Sequence, residues 1–513
     1  MPEMEFSQRI KKPMKPVRVL LLCIFLILPA ALSAQMNGYH YRYDYWLNRA
    51  VRGMTLQHPQ VGIRLSEMPY TRSDAVKSLV QLEYQSGIYG FYKKKLFSLF
   101  KSSLKNSTPR HFELNWRIRP QYAENLNANE NARLETDLIG YTWWGDDLAA
   151  YFNFQFDTDG ITDRDYHGTY EWKDVVGDMR AAYLQYKRKH WSLLFGREFV
   201  HWGPGRTGAL LTSGLAPSLD MIKFSADIWK FRFYGFNSML GKTDQEQLDN
   251  VHRYFSGHRL SLRLPRIELG LSETVMYGGE NEIVHHGYLN PLIPYYFMDV
   301  MGVQNRKDNV TLAMDAAFYY PDKVRWYGQF LVDEYYYEGE DYPNRTALLL
   351  GMDWFSPLNF NPLWLNAEYV RIDRWTYNYE AFAPWNRLNY YNAILGHPLG
   401  PDADLVHVEA EYALSRDFLL DAQIQHMRQG ETTIDTPLIT KEELGEHHPP
   451  FPYGTIEKNL IFSLQLQYFP APHWYLFGYV QYKDISNAGH VEGNSDSELA
   501  WRLGLMYNLR LVF

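Results

Sequence analysis

Residues 498–513, the last stretch of the sequence, read ELAWRLGLMYNLRLVF. Every second residue is large and apolar, and the residues between them are mostly small or polar. The apolar set is Leu499, Trp501, Leu503, Leu505, Tyr507, Leu509, Leu511 and Phe513. A period of two places successive side chains on opposite faces of a β-strand. The alternation runs well past the about 5–6 residues of an average strand. It therefore predicts an unusually long strand with one apolar face.

The same alternation recurs along the chain, and we predict about eighteen strands from it. They lie at residues 111–124, 132–143, 148–158, 178–188, 191–199, 219–228, 230–240, 257–264, 266–277, 308–320, 323–336, 346–356, 363–372, 403–414, 418–428, 458–469, 474–486 and 497–513. Between them, short turns such as 189–190 and 265–266 alternate with long polar loops such as 200–218 and 373–402. Short turns on one rim and long loops on the other are typical of transmembrane β-barrels with an even strand number. We predict an all-β, antiparallel, multi-pass barrel over residues 111–513; a soluble β-sandwich is the alternative.

Composition narrows the class of protein further. The chain contains 40 Tyr, 28 Phe and 15 Trp, yet its mean hydropathy is −0.40. Alternating strands combine abundant aromatic residues with low mean hydropathy in this way. After the N-terminal region there is no apolar run long enough for a transmembrane helix. The formal net charge of −8 makes nucleic acid an unsuitable partner.

The N-terminus predicts export. Residues 1–34 combine a basic start, an apolar run over 19–28 and a small-residue exit ending at Ala34, as in a secretory signal peptide. The only cysteine, Cys23, lies within this segment, so the exported chain has no disulfide. Residues 35–110 differ from the barrel pattern because apolar residues recur at helical spacing, for example after the capping-box-like Thr71–Asp74. We predict a small helical domain there, on the periplasmic side.

Gly203, Gly205 and Gly208 form a G-x-G-x-x-G pattern within Trp202-Gly-Pro-Gly-Arg206. A dinucleotide-binding loop requires a following helix. Pro204 and the absence of a helical apolar face after Thr207 exclude that role. We interpret the glycines instead as tight backbone turns, in a loop that is able to fold inward over the barrel lumen. Arg197 and Glu198 precede it as a candidate structural pair. Alternation places Arg197 on the lipid-facing side of its strand, unless Gly196 marks a β-bulge or the arginine side chain snorkels to the rim.

These residues also resemble a known family. Gly196-Arg197-Glu198, Trp202-Gly203-Pro204-Gly205 and Gly208-Ala209-Leu210-Leu211 look like a motif of the Wzi-type capsule-assembly proteins. Further similar segments are Arg64–Pro69, Tyr288–Leu292 and His397–Asp404. The resemblance implies an eighteen-stranded outer-membrane barrel with an N-terminal helical bundle at its periplasmic mouth. It also implies a lectin-like protein that holds capsular polysaccharide without catalysis.

On this basis we expect surface polysaccharide and outer-membrane lipid as partners, a monomeric barrel and a periplasmic C-terminus. Lectin sites pair aromatic platforms with fixed polar groups, and a basic side chain suits an acidic sugar. The candidate binding residues in the long loops are Trp202, Arg206, Tyr288, Asn290, Tyr295, Tyr296, Trp385 and Arg387. The alternative for each is loop packing or an interfacial aromatic belt.

Other chemistry receives little support. Four aspartates over 157–165 offer hard oxygen ligands, but they do not follow the register of a calcium loop, and a solvated loop is the simpler interpretation. The sequence contains neither a Gly-x-Ser-x-Gly elbow nor His-Glu-x-x-His, so we expect no enzyme, metal or cofactor. A barrel hydrolase that assembles Ser and His from neighbouring strands is the weaker alternative. A porin or uptake channel stays as the alternative function, since Arg117, Arg119, Arg502 and Arg510 would suit a wet lumen.

Overall fold

The computed structural model describes residues 51–53, 55–56, 59, 63–69, 110–124, 132–144, 147–158, 171–172, 175–240, 251–290, 292–300, 308–335, 343–360, 362–379, 383–415, 417–440, 450–471 and 473–513. The predicted signal peptide and most of the predicted helical domain lie outside these residues. Among the described residues, no helix is long and apolar enough to cross a membrane.

Eighteen long antiparallel strands form one closed barrel. They are β1 Arg110–Glu124, β2 Ala132–Trp144, β3 Leu148–Asp157, β4 Val175–Arg188, β5 Trp191–Glu198, β6 Leu219–Ile228, β7 Phe231–Leu240, β8 Val251–Leu264, β9 Ile267–Glu280, β10 Asn309–Tyr319, β11 Val324–Glu334, β12 Arg345–Phe355, β13 Leu363–Ile372, β14 Ala403–Ala413, β15 Phe418–Gln429, β16 Glu457–Ala471, β17 Trp474–Ser486 and β18 Ser495–Val512. All eighteen predicted strands are confirmed. A two-residue strand, Glu171–Trp172, adds to β4.

The C-terminal strand closes the barrel as its alternation requires. β18 pairs with β17 and with β1, from Val512 opposite Glu113 to Trp501 opposite Glu124. Leu499 and Leu503 are 58% and 57% exposed on the outer face, whereas Ala500 and Asn508 are buried on the inner face. Closure leaves no strand edge unpaired, and the apolar face points outward.

Two segments of the protein lie inside the barrel lumen. Glu67–Met68, His201–Trp202 and Thr212–Ser213 form a small three-stranded sheet separate from the wall. Residues 63–69 reach this sheet from the short-turn rim, where Arg64 donates to the carbonyl of Lys230 in the turn between β6 and β7 (2.8 Å). Residues 199–218 come from the opposite rim, as the loop between β5 and β6. We call residues 63–69 and 199–218 together the inner plug.

Among the described residues, helical turns lie in the N-terminal segment, at 51–53 and 55–56, and in connections between barrel strands. α1 is His286–Leu289 and α2 is Tyr295–Val300, both between β9 and β10. Short 3₁₀ turns lie at Pro357–Asn359, Pro384–Asn386 and Ala488–His490, and Asn389–Tyr390 pairs with Ala393–Ile394 as a small hairpin.

The predicted bulge at Gly196 is wrong. β5 pairs with β4 and β6 without a register shift through this residue, although Gly196 has a φ of 135°. Arg197 therefore stays on the outer face with Phe195. Its Nε donates to Asp220 Oδ1 (2.8 Å) on the neighbouring strand, so its partner is Asp220. Glu198 faces inward and is buried, and its carboxylate accepts the amide of Phe199.

Candidate functional site

The glycine motif forms the centre of the inner plug, because the loop packs there without side chains. Gly203 has a φ of 152°, a conformation that L side chains rarely adopt. A Cβ on Gly205 would lie 2.0 Å from the carbonyl oxygen of Gly208, which is a direct clash with backbone. The loop takes the inward path that its glycines allow: Gly203, Pro204, Gly205 and Gly208 are all buried.

One inward carboxylate on the barrel wall holds the end of the motif. Glu368 of β13 accepts the amides of Arg206 (2.6 Å) and Thr207 (2.9 Å) and the hydroxyl of Tyr327 (2.8 Å). The Thr207 hydroxyl also donates to it. His397 Nε2 lies 3.0 Å from that hydroxyl, while its Nδ1 accepts the amide of Leu399. The network assigns the proton of His397 to Nε2.

Other residues of the wall, together with Arg52 of the N-terminal segment, bind the loop backbone. Gln329 of β11 donates to the carbonyl of Trp202 (2.9 Å) and accepts the amide of Leu210 (2.7 Å). Two guanidinium groups converge on the carbonyl of Pro204, from Arg325 (3.3 Å) and from Arg52 (3.3 Å). Because buried backbone groups need partners, these contacts fix both the position and the path of the loop.

His201 crosses the plug between two carbonyl oxygens. Its Nδ1 lies 2.7 Å from the oxygen of Ser213 and its Nε2 lies 2.9 Å from that of Gly203. Burial lowers the pKa of His201 to about 4, and the positive charge of Arg52 acts in the same direction. Burial likewise lowers the pKa of His397 to about 3. Both rings are therefore neutral at neutral pH. A neutral imidazole has one N–H, so His201 donates to only one carbonyl.

Apolar contacts also hold the inner plug against the barrel wall. Trp202, Leu210 and Leu211 belong to the same buried cluster as inward residues of the wall, including Phe236 and Leu349. The Trp202 and Phe236 ring centroids are 5.3 Å apart. A cavity of about 360 Å³ stays between the loop and β14–β15, lined in part by Arg206, Ser213, His407 and Gln425.

An acidic cluster borders this cavity. Carboxylate oxygens of Glu409, Glu411 and Asp421 lie within 4.8 Å of one another, and all three residues are buried. Arg206 Nε donates to Glu409 Oε2 (2.6 Å), and Gln423 donates to Asp421 (2.7 Å). The cluster is thus partly neutralised by the plug itself. The aspartates predicted as an alternative calcium loop are a separate group. Asp157 binds Arg133 (2.9 Å), and Asp159, Asp163 and Asp165 lie outside the described residues.

The structure divides the eight candidate binding residues among three places. Trp202 and Arg206 are in the inner plug. Tyr288, Asn290, Tyr295 and Tyr296 lie in the connection that carries α1 and α2, where Tyr288 and Tyr295 are buried and Asn290 and Tyr296 are exposed. Trp385 and Arg387 lie at the long-loop rim. Their role in binding stays a prediction, but they do not form one site.

At the long-loop rim, Arg387 pairs with Asp435 across 2.6 Å, and Asp435 is 68% exposed. Trp385 beside it is half-buried. Trp375, Tyr377 and Tyr379, also in this loop, are buried. The Tyr377 hydroxyl donates to the carbonyl of Leu210 (2.7 Å), which ties the rim to the inner plug.

Sequence reasoning missed the residues that position this rim. Arg253 of β8 is buried in the lumen and donates to the carbonyls of Trp385 (2.7 Å), Arg387 (3.0 Å) and Asn389 (2.9 Å). Asp402 accepts the amides of Tyr453 (3.0 Å) and Thr432 (3.2 Å), and so joins two long loops. The strand predicted over 257–264 begins after Arg253, so alternation in the sequence did not mark this residue as inward.

The comparisons with known proteins agree with this architecture. Wzi of Escherichia coli, described as an outer membrane protein involved in group 1 capsule assembly and a carbohydrate-binding β-barrel, superposes with a TM-score of 0.60 at 15% identity. The match covers 93% of this chain and 99% of that chain. At such identity the likeness shows the fold alone.

More distant barrels match less well. OccD3 and OprD of Pseudomonas aeruginosa have TM-scores of 0.45 and 0.43, at 11% and 9% identity. Each match covers 78% of this chain and 91% or 95% of the other. No curated protein matches the chain in sequence.

A family model described as capsule assembly protein Wzi matches residues 104–498, which is most of the chain. That match takes in the first seventeen strands of the barrel, the start of β18 and the whole glycine motif. The chain therefore belongs to the Wzi family of capsule assembly proteins.

Proposed function

We propose that this protein is an outer-membrane barrel that holds surface polysaccharide at its long-loop face, without transporting or cleaving it. The observation that carries the proposal is the inner plug, which occupies the lumen and is bonded to the wall on several sides. Because packed chain fills the lumen, a large polymer would contact the long loops and not the lumen. Membership of the Wzi family supports the polysaccharide as ligand.

Half-buried Trp385 and the pair of buried Arg387 with exposed Asp435 suit a sugar polymer. Trp385 presents part of an indole ring, and sugar rings have apolar faces that stack on aromatic side chains. Arg387 beside it is anchored through its backbone by Arg253, and its guanidinium holds the exposed carboxylate of Asp435. A uronate carboxylate would replace Asp435 as the partner of Arg387 with the same geometry.

We infer an orientation with the short turns in the periplasm and the long loops outside the cell. In outer-membrane barrels the short turns are periplasmic. An even number of strands then places the C-terminus at the periplasmic rim. Residues 63–69 enter the lumen from that same rim, which is consistent with a periplasmic N-terminal domain.

The direct test measures binding of purified protein to polysaccharide extracted from its own source. We expect binding by the unmodified protein, and about 5- to 10-fold weaker binding by Trp385→Ala, the loss typical of one aromatic contact. The matched control is Trp229→Ala, because Trp229 is an exposed tryptophan in the turn between β6 and β7, at the opposite rim. Absence of binding by the unmodified protein would refute the proposal.

The channel alternative makes an opposite prediction. In a planar bilayer at neutral pH, a barrel closed by the inner plug shows no steady conductance. A stable open level in the unmodified protein would favour the porin, and the polysaccharide assay would then lose its rationale.

A further inference from the structure

The connection between β9 and β10 does not rise above the rim. Along β9, Ser272, Thr274 and Met276 face inward and are buried, and Met276 belongs to the lumen core. Alternation puts Glu273, Val275 and Tyr277 on the outer face, yet these residues are buried as well. They are covered by residues 281–290 and 292–298, which fold back over the outer wall. We call this segment the outer flap.

A tyrosine cluster attaches the flap to the wall. Tyr254 and Tyr277 stack on the outer face with ring centroids 5.1 Å apart. Tyr288 of α1 packs on Tyr277 at 4.7 Å, and Tyr295 of α2 packs on Tyr288 at 5.4 Å. These residues and Val275 form a buried cluster of their own, distinct from the lumen core.

Polar groups on the wall find their partners in the flap. Glu273 accepts the amides of Tyr295 and Tyr296 at the start of α2, each at 2.7 Å. His258, on the outer face of β8, lies with Nε2 2.9 Å from Glu273 Oε2, and its ring packs on Tyr295. A carboxylate and an imidazole on the outside of a barrel would be costly beside lipid tails. The flap encloses both.

The other side of the flap is apolar and uncovered. Leu292 is 80% exposed, Phe297 is 53% exposed, and Ile283, Leu289 and Tyr296 are exposed beside them. Such a concentration of large apolar side chains marks a contact surface, because soluble loops rarely display one.

Position along the strand shows what this surface meets. Ile267, Leu269 and Leu271 begin the exposed apolar face of β9 at the short-turn rim. A barrel strand crosses the apolar layer of the membrane in about 9–11 residues. Counted from Ile267, that layer ends at Val275 or Tyr277. The flap covers β9 from Glu273 to Tyr277, so it lies at the height of the outer half of that layer. Its apolar side continues the lipid-facing wall.

We propose that the outer flap is a lipid-embedded element, whose Leu292 and Phe297 contact acyl chains of the outer leaflet while its inner side shields Glu273 and His258. The occupant of this surface is lipid, since the surface is continuous with the apolar belt of the outer wall. The proposal is independent of what the long-loop rim binds.

The test uses single-cysteine variants of the full chain carrying a nitroxide label, in lipid bilayers, with Cys23→Ser as the background. Leu292→Cys and Phe297→Cys probe the flap. Leu271→Cys gives the lipid reference on the same strand, and Asp435→Cys gives the water reference at the long-loop rim. Collision with dissolved oxygen and with a polar nickel complex is measured for each label.

We expect labels at 292 and 297 to follow the label at 271, with oxygen collisions several-fold more frequent than nickel collisions. Values that match position 435 would overturn the proposal by placing the flap in water. Low collision with both reagents would also overturn it, because another copy or another protein would then cover the surface. The label at 271 shows in the same preparation whether the barrel has inserted.

Discussion

At the scale of single residues, the inner plug depends on a few wall side chains that each satisfy several backbone groups. Glu368 accepts four donors, Gln329 serves two loop positions, and Arg325 reaches the carbonyl of Pro204. A buried donor left without its acceptor costs about 1–3 kcal/mol. Substitutions at such residues therefore act on closure of the lumen more than on the barrel itself.

Glu368→Gln tests this directly. An amide nitrogen cannot accept hydrogen bonds, so at least one donor among Arg206, Thr207 and Tyr327 loses its partner. We expect the plug to lose about 1–3 kcal/mol and transient conductance to appear at neutral pH. Glu498→Gln, the same change at an exposed position of β18, is the control. Equal silence of both variants would contradict the assigned role of Glu368.

The two buried histidines give closure a pH dependence. Burial lowers the pKa of His201 to about 4 and that of His397 to about 3, whereas an exposed histidine titrates near 6.5. The open state therefore binds more protons below about pH 6.5. The stabilisation of the closed state by the two neutral histidines is complete above that pH and is lost as the pH falls toward 4.

We expect the open probability in a planar bilayer to rise steadily between pH 6.5 and 4. A His201→Asn/His397→Asn double variant has no such protons to bind, so its open probability should change less over that interval, whatever its absolute level. An identical pH slope in both proteins would show that other groups govern closure.

At the scale of elements, loops and strands respond to different changes. The loop over 199–218 owes its path to close backbone approach, which only glycine allows at Gly205. The path of each strand follows from the alternation of apolar and polar residues. The cost of a charged substitution on the lipid-facing side of a strand therefore depends on its depth in the membrane.

Gly205→Ala should prevent the loop from seating, since the added Cβ would meet backbone at 2.0 Å. We expect persistent conductance, together with cleavage after Arg206 by added trypsin. Gly177→Ala is the control, because a Cβ at Gly177 would find only ordinary contacts at 3.6 Å from Phe156. A silent, protease-resistant Gly205→Ala protein would rule out this account of the motif.

Leu503→Arg tests the outward face of β18. An arginine near the middle of the apolar layer costs about 2–4 kcal/mol, and one near its edge about 0–1 kcal/mol. We expect Leu503→Arg to lower the free energy of unfolding in lipid vesicles by the larger amount and Leu511→Arg, near the short-turn rim, by the smaller. Denaturant titration distinguishes them; equal losses would place the strand differently in the membrane.

At the scale of the whole molecule, a closed lumen and an outward rim predict retention of polymer and not its export. Cells that lack this chain should still deliver polysaccharide outside but shed it into the medium. Comparing surface-bound and released polysaccharide measures this. Unchanged fractions would remove the proposed function while leaving the fold untouched.

The sequence by itself determined the barrel. A period of two is a local property, so all eighteen strands, the two kinds of rim and the outward face of β18 follow from neighbouring residues. The glycine motif indicated tight backbone turns, because Gly203 and Gly205 permit conformations and close approaches that other residues do not.

Only the tertiary structure decided what each loop meets. Glu368 lies 162 positions from Arg206, and Arg253 lies 132 positions from Trp385; no local pattern encodes such pairings. The tyrosines of the outer flap look the same in sequence whether they face sugar or pack on Tyr277. Their place on the outer wall follows from complementary packing and from the hydrogen bonds that Glu273 accepts. Both are contacts between distant segments, which the alternation within a single strand does not encode.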